Sequence, residues 1–110
     1  MYNTFLKTIG DSPHSRVLKF LIIGRNFEYS LSDLARDSGV GWATLYKLFP
    51  TFEKQQLIVR TRTVGRSKLF KLNQENEDVK QLVKLYHSIM SQELDEIAEK
   101  HSQTVRVKTK

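Results

Sequence analysis

Five glycines and two prolines, set singly along 110 residues, cut this chain into short periodic segments. Tyr2, Phe5, Leu6 and Ile9 fall at helical spacing and predict a short amphipathic helix, too short to stand alone. Ser12-Pro13 starts the next helix, because the serine hydroxyl caps free N–H groups and proline loses nothing at the first helical position. That helix is expected to bury Val17, Leu18, Leu21 and Ile22 and to stop at Gly24. Phe27 to Ser30 reads as a short extended bridge. Ser30 and Asp33 carry the S-x-x-D spacing of a cap, so another helix opens there and ends near Ser38-Gly39.

A further helix follows from about Gly41 or Trp42. Pro50 removes one N–H and crowds the Tyr46 carbonyl, so a bend or break is expected there before a last turn through Gln56. Leu57 to Thr63 and Lys68 to Leu72, rich in β-branched and apolar residues, predict two strands separated by Val64-Gly65-Arg66-Ser67. Glu77 to about His101 predicts a helix of roughly 37 Å. Its stripe is Val79, Leu82, Tyr86, Ile89, Leu94 and Ile97, widened by Val83 and Met90. The fold class is therefore mainly α with a two-stranded β hairpin, divided into an N-terminal helical extension (1–11), a central module (12–72), a long helix (73–101) and a basic flexible tail (102–110).

The length suits one domain, and 39% hydrophobic with 27% charged residues excludes disorder throughout. The net charge of +6 is unevenly placed. Residues 1–72 carry twelve basic and five acidic residues, residues 73–101 three and seven, and residues 102–110 three basic ones. The densest stretch, Lys54 to Lys71, holds Lys54, Arg60, Arg62, Arg66, Lys68 and Lys71 with no acidic residue. A duplex phosphate backbone is attracted to that segment and repelled by the acidic helix.

Leu31 to Pro50, LSDLARDSGVGWATLYKLFP, resembles the helix-turn-helix of DNA-binding proteins. In that register the small Ala35 sits where two helices cross, and Gly39 takes the positive φ of a tight turn. Leu34, Val40, Leu45 and Leu48 supply the buried contacts. Followed by LIVRTRTVGRSKLFKLN, the unit is similar to a winged helix-turn-helix, in particular that of small archaeal transcription regulators. The resemblance covers about residues 12–72 and is strongest over 30–72.

That resemblance implies that the helix from Trp42 enters the major groove of duplex DNA with Trp42, Ala43, Thr44, Tyr46 and Lys47 exposed on its first two turns. Thr44 and Lys47 suit base edges or phosphates, and Trp42 and Ala43 suit thymine methyl groups. None is a bidentate Arg, Asn or Gln reader. Arg66 at the hairpin tip is expected in the adjacent minor groove, with Arg60, Arg62 and Lys68 on phosphates. The alternative for Trp42 and Tyr46 is packing against a neighbouring helix or partner.

The last helix is longer than one small core requires, which predicts a homodimer through Tyr2, Phe5, Leu82, Tyr86, Ile89, Met90 and Ile97. A monomer whose last helix folds back on the core is the competing expectation. The steps Leu82, Tyr86, Ile89 and Glu93 break a strict heptad, so a long coiled coil is not expected.

The chain has no cysteine, which excludes disulfides and thiolate chemistry, and three dispersed histidines, His14, His87 and His101, which point to no metal site. No P-loop, G-x-S-x-G or dinucleotide fingerprint occurs, so neither an enzyme nor a cofactor is expected. The start lacks the apolar core of a signal peptide and no run approaches a membrane span. The expected protein is cytoplasmic, nucleoid-associated and has no membrane partner. Its expected role is a dimeric, sequence-preferring duplex DNA-binding regulator. The rival readings are a plasmid-partition or chromatin-like protein that spreads along duplex, and a winged-helix adaptor that binds protein instead of DNA.

Overall fold

The structure, a computed structural model, describes residues 4–109, with side chains described for residues 4–98. In chain order the elements are α1 (Thr4–Ile9), α2 (Pro13–Ile23), α3 (Leu31–Ser38), α4 (Trp42–Lys54), β1 (Ile58–Val64), β2 (Ser67–Leu72) and α5 (Glu77–Thr109). The expected order is present.

Caps explain the starts of α2 and α3. The Ser12 hydroxyl accepts from the Ser15 N–H at 3.1 Å, and the Ser15 hydroxyl accepts from the Ser12 N–H at 2.9 Å. A serine thus stands where a capping box usually has Glu or Gln. Ser30 and Asp33 form the second reciprocal box, at 3.1 and 3.2 Å. Helix α4 differs, because Gly41 at its start offers no side-chain cap. Between α3 and α4, Gly39 adopts φ 75°, the left-handed conformation that the tight turn needs.

Pro50 neither breaks nor ends α4, which runs on to Lys54. Phe49 and Phe52 flank it, 7% and 0% exposed, and their burial holds the last turn against the core. The turn that follows closes at Gln56, which takes φ 57°.

The strands reach further toward each other than expected, leaving only Gly65 and Arg66 between the paired residues Val64 and Ser67. Gly65 has φ 61° and Arg66 does not share the positive sign, as in a type II′ hairpin turn. An irregularity at Thr61 shifts the register, so that Arg60 pairs with Phe70 but Arg62 pairs with Leu69. Adjacent strand residues face opposite sides, so the two arginines leave the hairpin on opposite faces. The extended segment before α3 joins the sheet at one point, where Tyr29 and Phe70 exchange N–H···O bonds of 2.8 Å in both directions.

One core unites these elements. Val17, Leu18, Leu21 and Ile22 from α2 meet Leu34, Leu45, Phe49, Phe52, Phe70, Leu72 and Val79, all buried. Ala35 and Leu48 pack partly buried against them.

Helix α5 closes the core and then leaves it. Phe5 and Ile89, assigned above to a partner surface, are 1% and 8% exposed within this chain. The correction has a simple cause: α1 folds back along the apolar stripe of α5 and covers it. Phe5 meets Tyr86 edge-on with ring centroids 5.3 Å apart, and the Thr4 hydroxyl bonds the Glu93 carboxylate. Leu82 and Tyr86 pack partly buried against the same core, and Met90 is half-buried. Leu94 and Ile97, beyond Glu93, stay 62% and 64% exposed. Tyr2 lies outside the described residues. The helix also continues past its expected end near His101 to Thr109. No glycine or proline follows Gly65 to stop it. Its 33 residues account for an outline of 64 × 27 × 26 Å.

Two predictions follow from the caps and the turn. A Cβ at Gly39 meets nothing within 4 Å, so Gly39→Ala carries backbone strain alone. The expected loss is about 1–2 kcal/mol in chemical denaturation, with Gly39→Asn losing less. The Asp33 carboxyl is held below the usual aspartate range, first by the Ser30 N–H, then by the Ser30 side chain and Arg36. A depressed folded pKa means that the unfolded chain takes up the proton first. The contribution is therefore complete above about pH 4 and lost as pH falls through the lower folded value. Thermal melts of Asp33→Asn should show less acid destabilisation than the parent chain below about pH 4.

Candidate nucleic-acid interface

Leu45 and Phe49 on α4 are buried, which turns the opposite side of its first two turns outward. Trp42, Ala43, Thr44, Tyr46 and Lys47 are all exposed, as the resemblance implied. Trp42 and Tyr46 do not pack against another helix of this chain. They are 50% and 65% exposed, and their rings lie 6.1 Å apart at 30° to each other.

At its start α4 faces the start of α2 across a cleft lined by Asp11, Ser12, Arg16, Gly41 and Thr44. Arg16 donates to both Asp11 carboxylate oxygens, at 2.7 and 3.1 Å. The pair holds the Asp11 carboxyl below its usual range, first through the hydrogen bond from Arg16. With no side-chain cap at Gly41, the first N–H groups of α4 have no side-chain acceptor.

The basic residues of the hairpin fall into two groups. Arg60 lies over the Phe70 ring, 5.9 Å from its centre, within cation–π range. Arg62 bonds Glu28 through Nε at 3.1 Å and Nη2 at 3.0 Å. Glu28 is accordingly held below the usual glutamate range, chiefly by the Thr61 hydroxyl and then by Arg62. Arg66 and Lys68 are different, as among the described residues neither makes an ion pair, and Lys47 makes none. Arg66 and Lys68 line a groove with Ser30, Leu31 and Ser32 at the start of α3.

Glu28 was not foreseen as a site residue, because 34 residues separate it from Arg62 and no local spacing links them. His87 is an exposed residue hydrogen-bonded to Arg25 at 3.1 Å, which ties the loop after α2 to α5. No group of three His, Cys, Asp or Glu capable of holding a metal occurs among the described residues. No helix among them is long and apolar enough to cross a membrane.

No family model matches the chain, and no curated protein matches it by sequence. Solved structures do. The chain is similar to MepR, a transcription regulator of the Staphylococcus aureus multidrug efflux pump MepA, with a TM-score of 0.61. Identity is 19% over 86% of this chain and 69% of that one. The MepR–DNA complex matches with a TM-score of 0.60 and 18% identity, covering 96% of this chain and 86% of the other. The adhesin competence repressor AdcR of Streptococcus pyogenes matches with a TM-score of 0.60 and 16% identity, over 86% and 72% of the two chains.

The fold is a winged helix-turn-helix. In its terms α3 and α4 are the two crossing helices, β1 and β2 the wing, and α5 the long C-terminal helix. The described site is then the outer face of α4 together with the Arg66–Lys68 tip of the wing.

Proposed function

We propose that this winged helix-turn-helix protein is a duplex DNA-binding transcription regulator that acts as a homodimer. The observation that carries the reading is the joint exposure of five residues on the first two turns of α4 and of two wing-tip cations, Arg66 and Lys68, that make no ion pair among the described residues. The fold it shares with MepR bound to DNA supports the same docking. In it α4 lies in the major groove with Thr44 and Lys47 toward base edges and phosphates, and Arg66 reaches the minor groove. Lys68 meets the backbone. Arg60 and Arg62, engaged with Phe70 and Glu28, position the wing and exchange those contacts for phosphates only on binding. The wing sequence from Leu57 to Asn73 supports a place among the small archaeal regulators, working on the nucleoid in the cytoplasm.

The dimer is proposed to form through the part of α5 beyond Glu93, where Leu94 and Ile97 remain exposed, together with Met90. Two joined modules share one association cost, which offsets the few base contacts that each α4 makes. Half-site centres then lie about 34 Å apart or a multiple of it. Exposed Trp42 and Tyr46 also suit a protein-binding adaptor, but a basic wing tip that makes no ion pair among the described residues favours a polyanion.

Lys47→Ala with Arg66→Ala should weaken duplex binding and flatten its dependence on salt. The log–log slope should fall by about 0.9 for each phosphate contact removed. Unchanged affinity and slope in a salt titration would remove the groove reading, and a footprint that lengthens with protein concentration would favour spreading over a single operator. Leu94→Gln with Ile97→Gln should give monomers by light scattering while the melting curve of the module stays in place, because neither residue is part of the core. A dimeric mass for this variant would move the interface elsewhere.

A further inference from the structure

The outer face of α4 has an unusual chemistry for a surface that reads bases. Among Trp42, Ala43, Thr44, Tyr46 and Lys47 there is no Arg, Asn or Gln, the side chains that pair two hydrogen bonds with a purine edge. Its largest features are two aromatic rings instead. Trp42 and Tyr46, four residues apart, share one side of the helix and are 50% and 65% exposed.

An apolar surface in the major groove distinguishes bases by one group only, the thymine C5-methyl, since every other edge presents hydrogen-bond donors and acceptors. The two rings are 6.1 Å apart, close to two base-pair rises of ~3.4 Å. Lys47 lies on the same exposed arc of α4 and makes no ion pair among the described residues, so charge complementarity also favours DNA over an apolar protein surface. We propose that Trp42 and Tyr46 act together as a reader of thymine methyl groups, selecting thymines about two base-pair steps apart in each half-site. The proposal rests on the duplex-DNA reading above and names what α4 selects.

The test uses the full chain and duplexes recovered by selection from a random pool. Individual thymines of the best duplex are replaced by deoxyuridine, which removes the methyl and keeps the pairing. For the parent protein each contacted methyl removed should weaken binding about fourfold, the effect of losing one buried methyl-sized group. Uridine elsewhere in the duplex should have no effect. Trp42→Ala and Tyr46→Ala should bring the thymine-to-uridine affinity ratio close to one, Trp42→Phe should retain part of it, and Lys47→Ala should weaken both duplexes alike with the ratio intact. Both aromatics are exposed, so a melting curve equal to the parent's is expected for each variant. Equal affinity of the parent protein for thymine and uridine duplexes would overturn the methyl reader while leaving the DNA-binding reading standing. Failure to retain any duplex in the selection would overturn both.

Discussion

The position of the wing depends on Phe70. Its backbone exchanges both hydrogen bonds with Tyr29, just before α3, and its ring packs edge-on against Phe49 of α4 at 4.7 Å. Arg60 covers the ring from the other strand. One residue thus joins the lead-in to α3, the body of α4 and both strands of the hairpin. A two-stranded hairpin is marginal in water by itself, so without this anchor Arg66 and Lys68 would have no defined distance from α4. The ring is 4% exposed, and truncating a buried Phe generally costs about 3–5 kcal/mol. The wing's orientation therefore draws on the same burial energy that stabilises the domain.

Charge on the wing is arranged around that anchor. The register shift at Thr61 sends Arg60 toward Phe70 and Arg62 toward Glu28, so two of its cations are used to brace the hairpin. The Arg62 side of the Arg62–Glu28 pair is 65% exposed and the Glu28 side 28%, and pairs open to solvent contribute only about 0–1 kcal/mol. It is a weak brace that a phosphate can replace at small cost. Arg66 and Lys68 sit at the tip and make no ion pair among the described residues. The +7 of residues 1–72 is thus partly neutralised at the base of the wing and free at its end.

Much of this was legible from residue spacing. The Ser30–Asp33 cap, the Gly39 turn and the buried Leu34, Val40 and Leu45 are local patterns whose physics is complete within a few residues, and the structure has them where the sequence placed them. The exposed face of α4 follows from the same periodicity. Long-range competition was not legible. Pro50 was expected to bend or break α4, but Phe49 and Phe52 are buried by partners distant in sequence, and their burial keeps the last turn in place. Similarly, an apolar stripe on a long helix states that something covers it, not what. The spacing of Phe5 suits a second subunit as well as α5, because nothing local distinguishes a helix of the same chain from a partner.

That competition limits what α5 can do. Val79, Leu82, Tyr86 and Ile89 of its first part are taken up by the core and by α1, so the apolar surface left for a partner along that stripe is half-buried Met90 and, beyond the Thr4–Glu93 contact, Leu94 and Ile97. On the dimeric reading this is an advantage. A pairing surface placed close to the core would press two modules about 27 Å wide against each other, whereas one displaced along the helix sets their separation independently of the module surface. The acidic residues Glu93, Asp95 and Glu96 travel outward with it, away from the basic wing. On the duplex-DNA reading, attraction of phosphate to the basic wing and its repulsion by this acidic stretch orient the module before any base is touched. The aromatic face of α4 then needs only to discriminate among sequences already presented to it.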